Sequence, residues 1–135
     1  MGKVVHDDVL DGALNIVKNN GTRLCVCSAE PATYAEATTT YDGGAGKYNL
    51  AIATIDSADF TGPESVVGGS GGRKLTVNEQ SGIAVDATAS ATHIAVCDSA
   101  GDGKVLLVTT CTSQPLTIGN TVTVPDFVQS IADPT

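Results

Sequence analysis

The spacing of apolar positions changes once along this chain, from a helical period near its start to short strand-like runs afterwards. At about 100° per residue, Val9, Leu10, Ala13, Leu14, Ile16 and Val17 fall on one arc, and Asp8, Asp11, Asn15, Lys18 and Asn19 on the other. This predicts an amphipathic helix over about 8–19. Asp7 or Asp8 suits its start, where acids meet the positive end of the helix dipole, and Lys18 suits the negative end. Asn20-Gly21 predicts a left-handed stop, and Gly12 weakens the polar arc slightly. Burying each large apolar side chain contributes about 1.5–3 kcal/mol, so the stripe needs a surface to dock on. That surface is either the chain's own sheet or a neighbouring subunit. The six residues Val9, Leu10, Ala13, Leu14, Ile16 and Val17 are therefore a candidate subunit-packing face.

Beyond residue 22 the apolar positions become β-branched and their runs shorten. Thr22–Ser28 reads as a strand, broken by Ala29-Glu30-Pro31, and Thr33–Ala37 as a short helical turn. Tyr41–Lys47 is loop, Tyr48–Thr54 a strand, and Phe60-Thr61-Gly62-Pro63 a turn that ends this region. Gly68–Gly72 reads as a small-residue loop before a strand at Arg73–Val77. From Gly82 to Pro125 come four runs rich in Val, Ile and Thr. The central pair predicts a hairpin turning at Ala100–Gly103, with Ser99 opposite Lys104. In that register Cys97 faces Leu106, Val96 faces Leu107, Ala95 faces Val108, Ile94 faces Thr109 and Cys111 faces Thr92. Both faces of such a ribbon are largely apolar, so it needs cover twice, once by its sheet partner and once by the helix or another subunit. Asn120–Pro125 is a further strand, and Phe127–Ile131 an edge strand after a proline. The fold class this predicts is mainly β, with sandwich or jelly-roll-like sheets and one N-terminal amphipathic helix. One domain spans residues 1–135, with its β-rich body over about 22–131.

Composition supports a packed domain. The chain has 135 residues, of which 41% are hydrophobic, enough for a core without staples. Only 4% are aromatic and none is Trp, so that core is built from Val, Ile, Leu and Ala. Seven basic against fifteen acidic residues give a net charge of −8. Phosphate binding needs clustered Lys and Arg, which are lacking here, so no nucleic-acid partner is expected. No basic segment leads into an apolar run after Met1, so no secretory signal is expected. No apolar stretch reaches the ~18 residues of a membrane span, so no membrane association is expected either. Met1-Gly2 does not complete a myristoylation signal, because His6 stands where Ser or Thr is required.

Candidate chemistry fails on spacing. Cys25 and Cys27 point the same way along one strand and cannot readily bond to each other. Cys97 and Cys111 are single, and no His completes a zinc set, so four reduced, mostly buried thiols are expected. Gly68–Gly72 matches Gly-x-Ser-x-Gly formally, but a strand follows where the nucleophile elbow needs a helix. Asp98–Gly103 resembles the start of a calcium loop, yet Ala100 and Thr109 occupy ligand positions, and a hairpin turn is expected. Asp7, Asp8 and Asp11 read as a solvated helix start, and His93 as a core or interface histidine without a partner nearby in sequence. No catalytic residue, cofactor or metal site is expected, and the chain is not expected to be an enzyme.

Several longer blocks carry a resemblance: His6–Asn15 with Lys18–Asn20, Leu24–Pro31, Thr33–Ala37, Phe60–Pro63, Gly72–Val77 and Thr109–Pro125. Together they resemble short structural proteins of tailed bacteriophages and prophages, over most of the chain and without a diagnostic motif. The resemblance implies a virion component, a capsid decoration (cement) protein that binds the outside of the major capsid shell and stabilises it. It implies the major capsid protein as partner, a homotrimer, synthesis in the host cytoplasm and a final place on the capsid surface. Another virion part (head fibre, neck or tail protein) and a small glycan-binding β module are the alternatives.

Overall fold

A computed structural model describes residues 4–66 and 71–134. The chain is mainly β, with antiparallel sheets arranged as a sandwich and one long N-terminal helix. Helix α1 spans Asp7–Asn20, one residue longer at each end than the apolar spacing predicts. Its cap is neither aspartate but His6, whose Nδ1 accepts a hydrogen bond from the Asp8 amide at 3.1 Å. The expected left-handed stop is also absent, since Gly21 is extended at φ −68°. A glycine is needed there for space. A Cβ would stand 2.7 Å from the Val17 carbonyl, 2.9 Å from the Phe60 ring and 3.0 Å from Val96.

Strand β1 (Arg23–Cys27) follows at once, then the short helix α2 (Tyr34–Thr38) and strand β2 (Asn49–Thr54). Thr33 and Glu36 cap α2 reciprocally. Strand β3 (Phe60–Ser65) replaces the turn predicted at Phe60–Pro63. Gly62, at φ 105°, and Pro63 are absorbed as a bulge between the pairs Thr61–Thr76 and Glu64–Lys74. An edge strand tolerates this, because a proline there costs no ladder hydrogen bond. Strands β4 (Arg73–Val77), β5 (Gln80–Ala84), β6 (Ala89–Asp98), β7 (Lys104–Leu116), β8 (Thr121–Val124) and β9 (Phe127–Ile131) complete the order. Most of Gly68–Gly72 lies outside the described residues.

The strands form sheets ordered β2-β1-β6-β7, β3-β4-β9 and β5-β8. The main core lies between the inner face of the four-stranded sheet and the other two sheets with α1. It joins Leu14, Leu24, Val26, Phe60, Leu75, Val77, Ile83, Ile94, Val96 and Val124. The alternate positions Cys25, Cys27, Ala95 and Cys97 pack with Ala37 of α2 on the outer face, flanked by Tyr34 and Tyr48. Strand β6 is thus covered on both faces over Ile94–Cys97, whereas along β7 only Leu116 is buried, so the double cover expected of the ribbon is met by one of its two strands.

The central register of that ribbon is as the sequence predicts, with Ile94 opposite Thr109, Ala95 opposite Val108 and Val96 opposite Leu107. Its ends differ. A bulge after Val96 sets Cys97 opposite Val105 and Asp98 opposite Lys104. A second bulge skips Thr92 and Cys111–Ser113, so that Ala91 faces Gln114 and the ribbon runs on to Ala89 and Leu116. Bulges sharpen the local twist, and Asp98 closes the turn by accepting from the Ala100 amide at 2.8 Å.

Candidate functional site

The six apolar residues of α1 do not share one environment. Leu10 and Leu14 are buried in the chain's own core and Val17 is half-buried against it. Val9, Ala13 and Ile16 point outward, with Val9 63% and Ile16 55% exposed. An arc of six residues is wider than the stripe one sheet can cover, so the helix docks on Leu10–Leu14–Val17 and leaves a second stripe uncovered.

The helix is held in that rotation by charge. Arg73 on β4 forks onto Asp11, Nε to Oδ1 at 2.6 Å and Nη2 to Oδ2 at 3.0 Å, and its Nη1 lies 3.7 Å from Asp7. The Arg73 side chain is only 15% exposed. Lys18 Nζ donates to the Gly62 carbonyl at 2.7 Å, which ties the far end of α1 to the β3 bulge. Two of the three aspartates expected as a solvated helix start are therefore tethers of the fold. The bidentate geometry is the strong form of such a pair.

The opposite flank of the sandwich is open. Strand β7 hydrogen-bonds only to β6, and β8 only to β5, among the described residues. A furrow runs between these two edges. Its apolar half, about 340 Å³, has Val26, Ala91 and Ile94 as floor and Thr112, Val122 and Thr123 among its walls. A more polar half of about 400 Å³ continues past Pro115, Asn120 and Thr121. No lining residue is charged. Indeed, no residue from Val105 to Pro125 is charged, so all 22 acidic and basic side chains lie elsewhere.

The remaining candidates are structural. The four cysteines are free, three of them buried and Cys111 partly so. Cys25 is pushed well up by its hydrogen bond with Cys97 and by burial. Burial chiefly, with Cys97 and Cys111 nearby, pushes Cys27 up to about 12. The same bond with Cys25 pulls Cys97 down, while Cys25 and Cys27 stay protonated and act as small apolar groups. No group of three or more His, Cys, Asp or Glu among the described residues could hold a metal ion.

His93 does have a partner, and it is its own neighbour. Thr92 Oγ1 lies 2.8 Å from His93 Nδ1 and 2.9 Å from the Ser28 carbonyl. The hydroxyl has one proton and gives it to Ser28, so His93 Nδ1 carries a proton and donates to Thr92. No helix among the described residues is long and apolar enough to cross a membrane. The furrow could have been suspected from the sequence through the uncharged run, but its two free edges could not. No family model, curated protein or solved structure matches this chain.

Proposed function

We propose that this chain is a structural component of a tailed-bacteriophage particle, a decoration protein that sits on the outside of the major capsid shell and stabilises it. The observation that carries this reading is the outward stripe of α1. Val9, Ala13 and Ile16 form an apolar face surplus to the chain's own core, and the helix beneath is fixed rigidly by Arg73 and Lys18. A rigid helix offering a spare apolar face suits packing between subunits, as in a trimer on a shell. The sequence resemblance to phage structural proteins points the same way. In this reading the ionisable groups serve the scaffold: Asp11 and Asp7 hold Arg73, Asp98 closes a turn, and Asp42 pairs with Lys47.

The test is direct. Purified protein is added to shells assembled without it, the shells are sedimented, and bound protein is located by cryo-electron microscopy. The expected result is saturable binding at symmetry-related positions on the outer surface, with raised resistance of the shell to heat. A protein that stays in the supernatant and is monomeric at all concentrations overturns the reading.

A further inference from the structure

We propose that the furrow between β7 and β8 is a docking site for one extended, uncharged strand of a partner protein, which pairs with the free strand edges and seals the open flank. This inference rests on the furrow alone and not on the particle reading.

Three features of the furrow select that occupant. First, its walls are strand edges. β7 is the outermost strand of its sheet and β8 of its pair, so each turns a row of main-chain N–H and C=O groups away from its only partner. An extended backbone is the ligand that answers such a row along its whole length. Second, the floor is core. Val26 and Ile94 belong to the main cluster and are buried, yet they line the furrow. Alternate side chains of an entering strand would point to that floor and the others to solvent, which asks for small β-branched residues on the inward side. Third, the lining is uncharged in a chain of net charge −8. A charged residue pointing inward would be desolvated without a counter-charge, so a charged segment is rejected.

A second copy of this chain fits less well. Its β7 and β8 edges are themselves walls of a furrow and cannot enter one. Of its other edges, β3 carries Glu64 and β9 follows Asp126, β2 is partly occupied by Val85 and Asp86 of its own chain, and β5 is only five residues long and irregular between Gln80 and Ile83. Edge strands are commonly blunted by charge, proline or brevity. β7 is instead long, and from Val105 its sole device of this kind before Leu116 is Pro115.

The test uses the purified chain and a synthetic probe, a capped seven-residue peptide of alternating Thr and Val. Binding is followed by amide chemical shifts and by the change in hydrogen exchange of β7 and β8. The expected result is one peptide per chain, with shifts concentrated on Val105–Leu116 and Thr121–Val124. Methylating alternate amide nitrogens of the peptide removes main-chain donors and keeps the side chains, and should weaken binding about tenfold or more. Replacing the inward valines by lysine should do the same. In the protein, Thr112→Lys with Thr123→Lys places charge on two exposed wall positions and should also lower affinity at least about tenfold. An unchanged melting temperature would show that this variant folds. No binding at millimolar peptide overturns the proposal. So does equal binding of the methylated peptide, which would make the furrow a simple apolar sink. Self-association of the chain that protects β7 and excludes the peptide would make a second copy the occupant and overturn it too. None of these outcomes involves shells, so failure here leaves the particle reading standing, and failure of shell binding leaves this one standing.

Discussion

The two flanks of the sandwich handle the same problem, a sheet edge beside an apolar core, in opposite ways. On one flank α1 closes over β3 and β4. Leu14 enters the core, Arg73 grips Asp11 and Asp7, and Lys18 reaches the Gly62 carbonyl. On the other flank β7 and β8 stand apart, with Val26 and Ile94 visible between them and no charge on β8 or on β7 beyond its first residue, Lys104. Charge is used where the chain must fix its own docking. It is withheld where an edge stays open. A fork of hydrogen bonds specifies one rotation of a helix, whereas an uncharged edge accepts any strand of suitable side chains.

The comparison breaks first at Leu14. Leu14→Ala removes a buried side chain from beneath the helix and should cost about 2–5 kcal/mol in urea unfolding. A loss below about 1 kcal/mol would mean that α1 is not an integral wall of the core. Next in size comes the tether. Asp11→Ala leaves Arg73 with the more distant Asp7 and its bonds to Ser65 Oγ and the Pro63 carbonyl, and a hydrogen bond to a charged group is worth about 1.5–3 kcal/mol when little exposed. The upper half of that range is not expected, because the Asp11 side chain is 24% exposed. A double-mutant cycle with Arg73→Ala should show coupling, and strictly additive losses would separate the pair energetically.

The outer face of the four-stranded sheet gives a pH test. Cys27 has its thiol pushed up to about 12 by burial, above its ordinary value near 9. The protonated form is the one the fold favours, so its contribution is complete below about pH 9 and is lost as pH rises towards 12. The slope is at most about 1.4 kcal/mol per pH unit for one site. Urea midpoints at pH 9, 10 and 11 should fall more steeply for the native chain than for Cys27→Ala. Equal slopes would mean that Cys27 is not buried as a thiol. Below this in size stands Gly12, whose added Cβ would meet nothing within 4 Å. Gly12→Ala should stabilise α1 by up to about 1 kcal/mol, read as a higher melting temperature.

How much of this was legible depends on the range over which each feature is decided. α1 was, because six apolar side chains at helical spacing leave no strand alternative. So were the central pairs of the ribbon, from Ile94–Thr109 to Val96–Leu107, because a tight turn propagates register. The bulges at both ends were not, since neither Leu106 nor Cys111–Ser113 carries a glycine or proline to mark one. β3 was hidden for the converse reason: Gly62-Pro63 has the composition of a turn, and only pairing with β4 makes it a bulge. The Arg73–Asp11 fork joins residues 62 positions apart, and sheet order is equally non-local. Of the candidate face on α1, periodicity supplied all six residues but not their division. That division is set by how much of the helix the core can cover.

The finest test of the two flanks is therefore on that division. Val9→Ser and Ile16→Ser alter side chains that are 63% and 55% exposed. Exposed positions with no partner in their own chain usually change stability by less than about 0.5 kcal/mol, and both variants should unfold with the native chain at low concentration. If the stripe packs between subunits, the native melting temperature rises with protein concentration, because assembly stabilises the folded form by mass action. The paired variant should lose that concentration dependence while keeping the dilute-limit value. A drop of more than about 1 kcal/mol in the dilute limit would instead place the stripe inside the chain's own packing. The α1 flank would then be closed on both sides of the helix, and the contrast with the open β7–β8 flank would be complete.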